Sequence, residues 1–158
     1  MKDWRFILTI ICTMILAGCA SLKPVSITKN ESIGNYKYVY ITPTVKLTSS
    51  TGIYSDVFGS TQSKSVNPSD IIAGVLLKNG YIRLPQISPE LLDETLIVNY
   101  GESGRRNTGL GSYAIEVTIQ FLSARTYKVI CTCTGEGQGL TETDDIRIAI
   151  NRCLEELF

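Results

Sequence analysis

The chain has 158 residues, with fifteen basic and fifteen acidic side chains, five cysteines, one tryptophan and no histidine. That length supports one domain around one core. Balanced charge without a basic stripe argues against a nucleic-acid partner, and the missing imidazole excludes Ser–His–Asp and Cys–His chemistry.

Lys2 and Arg5 make a short basic start, partly offset by Asp3, and Phe6 to Leu16 is an eleven-residue apolar run. A run of that size suits a signal-peptide h-region and is too short to cross a bilayer. Ala17 and Gly18 let an extended backbone enter a peptidase site, and Cys19 supplies a thiol. Leu16-Ala17-Gly18-Cys19 resembles the lipobox of bacterial envelope lipoproteins. The resemblance implies cleavage between Gly18 and Cys19, a thioether-linked diacylglycerol on Cys19, and an acylated amino group. The alternative is an ordinary secreted protein or an uncleaved anchor. Two or three acyl chains hold firmly, at about 0.8 kcal/mol per buried methylene. Ala20 and Ser21, where enteric lipoproteins kept at the inner membrane carry Asp, imply the outer membrane over the inner one. The expected organisation is a signal peptide over 1–18, a lipidated cysteine and tether over 19–35, and a single domain over 36–158.

Losing Lys2, Arg5 and Asp3 leaves thirteen basic residues against fourteen acidic, a side-chain charge of −1. Cys12 leaves too, so Cys131, Cys133 and Cys153 remain as an odd set of thiols in the envelope. Cys131 and Cys133 are two apart in a strand-like run and share a face. Either comes within reach of Cys153 if the last helix packs on that strand; the alternative is three small buried hydrophobes. No metal site is expected, because three thiols without histidine lack a fourth ligand. No cofactor is expected either.

Ala20 to Asn35 is polar and without period, and reads as tether. Tyr36 to Thr42 predicts a strand with Tyr36, Tyr38 and Tyr40 on one face, as packing or as a contact patch. Pro43 to Val66 is dense in Ser, Thr and Gly, long for a loop, with enough apolar residues to pack in part as a hairpin. Asn67-Pro68-Ser69-Asp70 opens a helix, and Asn79-Gly80 closes it with Tyr81 as the apolar follow-on. Tyr81 to Leu84 is a brief extended piece, and Ser88-Pro89-Glu90 starts a short second helix through Glu94.

Thr95 to Gly101 predicts a central strand, and Glu102 to Ser112 a Gly-rich connection carrying Arg105 and Arg106. Tyr113 to Phe121 alternates apolar and polar residues, the clearest strand in the chain. Tyr127, Val129, Cys131 and Cys133 continue the inward pattern on a partner strand, and Gly135 to Gly139 ends the sheet. Thr141 or Thr143 then caps a last helix, with Glu142, Asp144 and Asp145 at its positive end. Ile146, Ala149, Ile150, Cys153 and Leu157 form its inward stripe. The expected fold is α+β: a two-layer sandwich with a mostly antiparallel sheet of about four strands and two or three helices on one face.

Ile71 to Tyr81, Thr95 to Tyr100 and Ala124 to Phe158 follow an order similar to small envelope lipoproteins. More distantly, that order resembles the α+β domains of the curli-secretion lipoprotein, the penicillin-binding-protein activator lipoprotein and the amino-terminal part of TolB. The resemblance implies assembly or partner binding, and it carries over no functional residue besides Cys19. The expected protein is a non-enzymatic, lipid-anchored interaction module whose partner is another envelope protein or itself. Its contacts would be the 43–66 segment and Arg105-Arg106. The alternative is a small-ligand or glycan binder using the Tyr36/Tyr38/Tyr40 face. A thiol enzyme built on the three cysteines has no visible means of lowering a thiol pKa.

Overall fold

The computed structural model describes residues 22–52, 61–109 and 112–158. The expected signal peptide and lipobox lie outside the described residues, as do Ile53, Tyr54, Val57 and Phe58 of the long Ser/Thr/Gly-rich segment.

Two long strands and what attaches to them set most of the architecture. β6 (Thr95–Gly109) and β7 (Ser112–Ser123) form an antiparallel hairpin, and β8 (Val129–Gly137) pairs antiparallel with β7. On the outer side of β8 lies β1 (Ser26–Lys29), antiparallel, with Ile27 opposite Cys133. On the outer side of β6 lies β2 (Tyr38–Ile41), parallel, and beyond it the two-residue β5 (Ile82–Arg83), also parallel. The sheet order is β1-β8-β7-β6-β2-β5. β3 (Leu47–Gly52) and β4 (Thr61–Val66) form a separate two-stranded antiparallel ribbon.

The expected sandwich of about four mostly antiparallel strands is therefore corrected. The sheet is mixed and six-stranded, a second ribbon stands beside it, and strands dominate over two α-helices and two 3-10 turns among the described residues. The parallel pairs arise because the chain leaves β2, passes through the ribbon and helix α1 (Pro68–Lys78), and returns to the sheet as β5. A crossover through a helix brings the next strand back in the same direction. The extra strand β1 arises inside the stretch expected to be tether. It is too short and too exposed to carry a period, since only Ile27 turns inward.

Helix α1 starts where Asn67 accepts a hydrogen bond from the Ser69 N–H and Pro68 takes the first turn. It ends at Gly80, whose φ of 87° lies in the left-handed region that favours glycine. Pro89–Glu94 is a 3-10 turn, not an α-helix. Helix α2 (Glu142–Leu157) is capped by Thr141, which accepts from the Asp144 N–H. Glu142, Asp144 and Asp145 lie at the positive end of its dipole.

Both helices pack on one sheet face. There Val39, Ile41, Leu96, Val98, Val117, Ile119, Phe121, Cys131 and Cys133 meet Ile72 and Leu76 of α1 and Ile146, Ala149, Ile150 and Leu154 of α2. The opposite face carries Tyr38, Tyr40, Asn99, Thr118, Gln120, Thr132 and Thr134, all half-buried. Two further expectations change. Tyr127 is not inward: it sits exposed in the β7–β8 turn with φ 57°. Gly135 and Gly137 do not end the sheet but complete β8, where they let α2 approach. A Cβ on Gly137 would lie 1.9 Å from the Asp145 carbonyl oxygen, and one on Gly135 would lie 3.2 Å from that of Ala149.

Candidate functional site

The described chain joins the fold at Lys23, and what receives it is Glu136 of β8. The Glu136 side chain is only 2% exposed although it lies on the polar face of the sheet. Arg106 grips it with two bonds, Nε donating to Oε1 at 2.9 Å and Nη2 to Oε2 at 2.6 Å. The Lys23 backbone N–H donates to Oε2 at 2.9 Å, and Lys23 Nζ stands 3.2 Å from Oε1 and 3.5 Å from Glu116 Oε2. Arg152 of α2 donates to the Glu136 carbonyl and, at 3.0 Å, to the Lys23 carbonyl. A buried carboxylate persists only when paired and hydrogen-bonded. The Arg106 guanidinium, helped by Lys23, holds this carboxyl far below the usual carboxylate range, at about 2.

Arg105 and Arg106, expected side by side at a loop tip, lie within β6, which runs on to Gly109. Successive strand residues point to opposite faces, so the two arginines separate. Arg106 serves Glu136. Arg105, opposite Ile115, turns to the helix face, pairs with Glu142 at the start of α2, and lies over the Tyr113 ring at 5.3 Å. Gln138 Nε2 donates to Thr108 Oγ1 at 3.0 Å, so the end of the long hairpin is tied to the β8–α2 connection. The buried Asp145, in the first turn of α2, accepts from the Gly139 N–H of that connection, and burial raises its pKa.

Cys133 and Cys153 are joined in a disulfide with Cα atoms 5.8 Å apart. Cys131 is a free, buried thiol whose pKa burial pushes up, which lowers the share of reactive thiolate. Among the described residues no three Cys, Asp or Glu side chains gather as metal ligands.

Two open depressions lie beside the sheet. One, of about 410 Å³, is lined by Pro24, Val25, Arg152, Glu155 and Glu156, beside the point where the chain enters the fold. The other, of about 340 Å³, is lined by Gly34, Tyr36, Lys37, Asn79, Gly80 and Tyr81. Tyr38 and Tyr40 lie on the face away from the helices, with Lys37 Nζ 5.5 Å from the Tyr38 ring centre.

Glu136 and Lys23 have no place among the residues singled out from the sequence. Gly135 and Gly137 make Glu136 look like part of a turn, and Lys23 falls in the supposed tether. Extending the alternation of Cys131 and Cys133 by a few residues would have placed Glu136 on the polar face beside Thr132 and Thr134.

The class defined so far is a mixed-sheet domain with both helices on one face and its amino-terminal segment clamped to the sheet. No protein-family model matches this sequence, and no curated protein is similar to it. Among solved structures, the chain is similar to a single-substitution variant of the PelC dodecamer from Paraburkholderia phytofirmans at 17% identity and a TM-score of 0.48, covering 84% of this chain and 95% of that one. It is similar to the PelC dodecamer of the same organism in another crystal form at 14% identity and a TM-score of 0.45, covering 85% and 96%. At these values the likeness assigns neither a family nor a role.

Proposed function

We propose that this protein is a lipid-anchored component of the bacterial envelope that works by binding another envelope protein or a second copy of itself, and not by catalysis. The observation that carries the reading is the closeness of two features. The lipobox cysteine, Cys19, lies four residues before Lys23, where the chain is fastened to a buried carboxylate. A domain fastened that close to its lipid is suited to present surfaces at a fixed place. The surfaces it offers are the β3–β4 ribbon and the outer part of the β6–β7 hairpin with Arg105. Ala20 and Ser21 after the cysteine favour the outer membrane.

The test is chemical crosslinking in intact cells, followed by purification from solubilised membranes, with Cys19→Ala as the unanchored control. One specific envelope protein captured with the anchored form and lost with the control supports an assembly role; self-crosslinks alone support a homo-oligomer. Removal of residues 53–60 with Arg105→Ala, leaving every captured partner in place, refutes the assigned contacts.

A second reading, a small-ligand or glycan binder, is favoured by the depression beside Tyr36 and Lys37 and by the two tyrosines on the helix-free face. No binding across a panel of envelope glycans refutes it, and glycan binding unaffected by Tyr36→Ala and Tyr40→Ala refutes the assigned site.

A further inference from the structure

We infer that this protein meets its membrane with one particular surface, the β1 edge of the sheet and the adjoining flank of α2, and that Glu136 holds it in that orientation. The inference rests on the proposed lipidation of Cys19 and adds to it a face and a positioning residue.

Lys23 lies four residues after Cys19. Even fully extended, that length of chain spans about 14 Å. The Lys23 backbone is pinned from both sides, its N–H by Glu136 Oε2 and its carbonyl by Arg152 Nη2. The body of the domain therefore cannot drift farther from the lipid than that span, and the part within reach is what surrounds Lys23: the start of β1, Arg152, and the depression lined by Pro24, Val25, Glu155 and Glu156. The opposite sheet edge, β5, lies five strand spacings away, about 24 Å. Around the exit point Lys23 and Arg152 are balanced by Glu155 and Glu156. Lys29 on β1 and Glu116 beside Lys23 add one charge of each sign, so both signs are present and there is no basic patch; once acyl chains supply the affinity none is needed.

Without the clamp the first residues held to the body are Val25, packed against the core, and Ser26 of β1, paired with Thr134. The free segment then grows from four residues to six, about 21 Å, and the domain can turn.

The mature chain carries no tryptophan, because Trp4 is the single one and precedes Cys19. Two reporters are therefore clean: Glu155→Trp beside the exit point, and Ile82→Trp on the far edge strand, where Ile82 is exposed. Each full-length protein is purified from membranes, its amino-terminal peptide weighed, and the protein reconstituted into phosphatidylcholine vesicles containing a headgroup-nitroxide phospholipid. The expected result is severalfold stronger quenching of Glu155→Trp than of Ile82→Trp, with the contrast collapsing when Glu136→Ala, which removes the acceptor of the Lys23 N–H, is combined with Arg152→Gln, which removes the bond to its carbonyl. Arg152→Gln alone, which leaves the Glu136–Arg106 pair intact, should reduce the contrast as well and covers the case in which Glu136→Ala fails to fold. Equal quenching of the two reporters on a lipidated chain overturns the fixed face while the anchor stands. A preserved contrast in both clamp variants overturns the role of Glu136. An unmodified Cys19 overturns the anchor and this inference together.

Discussion

Replacing Gly137 by alanine tests the central packing contact of the fold. The added Cβ would lie 1.9 Å from the Asp145 oxygen, 2.6 Å from the Ala149 nitrogen and 2.9 Å from the Asp145 carbonyl carbon. All three are backbone atoms of α2, so no side chain can swing away. Relief requires the helix to move by about 1.5 Å to reach ordinary contact distance. The helix is not free to do so, because the Cys133–Cys153 disulfide fixes it to the same strand farther along and Arg105 holds its first turn through Glu142. Inserting a methyl group into a packed core costs about 1–3 kcal/mol, and a backbone clash on a pinned helix belongs at the upper end. Against a total stability of about 5–15 kcal/mol, about 3 kcal/mol is a large fraction, and it corresponds to a fall in Tm of about 10 °C for a domain this size. Urea and thermal unfolding followed by far-ultraviolet circular dichroism measure it. Gly104→Ala is the matched control, because a Cβ there meets nothing within 4 Å. A Gly137→Ala protein within about 0.5 kcal/mol of the parent, no worse than an uneventful surface change, would refute the contact.

Three further outcomes follow from the same structure. The disulfide closes a loop with a sequence separation of 20, so the double variant Cys133→Ala, Cys153→Ala should lose about 3 kcal/mol in urea unfolding; an unchanged midpoint would show that the bond contributes nothing. Cys131, fully buried and with its thiol pKa raised by burial, should resist iodoacetamide at about pH 8 in the folded protein and react fully in urea. Glu136 has a lowered pKa in the folded state, so its contribution is complete above the ordinary glutamate range and is lost as pH falls toward about 2. The stability gap between the parent and Glu136→Gln should thus be widest near about pH 6 and close progressively toward about pH 2; a gap independent of pH would contradict the ion pair.

What could be read from the sequence was what is decided within a few residues. Asn67 and Pro68 begin a helix because one side-chain oxygen and one fixed φ act locally, and Thr141 with Glu142, Asp144 and Asp145 does the same for α2. The alternation from Tyr113 to Phe121 declares a half-buried strand because period and burial coincide along a single element. What could not be read depends on pairing between distant segments. β1 pairs with the outer edge of β8, and its own signal, the alternation of Val25 and Ile27, is only two apolar residues long. The outer half of β6 carries glycines and charges that look like a connection, yet its pairing with β7 holds it as a strand through register shifts at Glu102/Gly104 and Asn107/Gly109. The mixed direction of the sheet follows from where α1 packs, a fact with no local signature. Of the site residues singled out, Cys133 and Cys153 came together and Arg105 and Arg106 came apart; Glu136, which was not among them, is signalled only by the alternation that runs on from Cys131 and Cys133.

These non-local elements converge on one strand. On the helix side of β8, Gly135 and Gly137 remove side chains so that α2 can lie close, and Cys133 fastens it. On the other side, Glu136 reaches across to Arg106 of β6 and back to Lys23 ahead of β1. Arg152 closes the circuit by linking α2 to the carbonyls of both Glu136 and Lys23. The two ends of the described chain are thus fastened to the same few residues. If Cys19 carries the lipid, a pull on the anchor passes through Lys23 into Glu136 and the central sheet, and through Arg152 and the disulfide into the last helix. A flexible leader would dissipate that pull before it reached the fold. On the proposed anchoring the pull enters the central sheet and the last helix together, so the fold, and not a linker, would set the orientation of the sheet to the membrane.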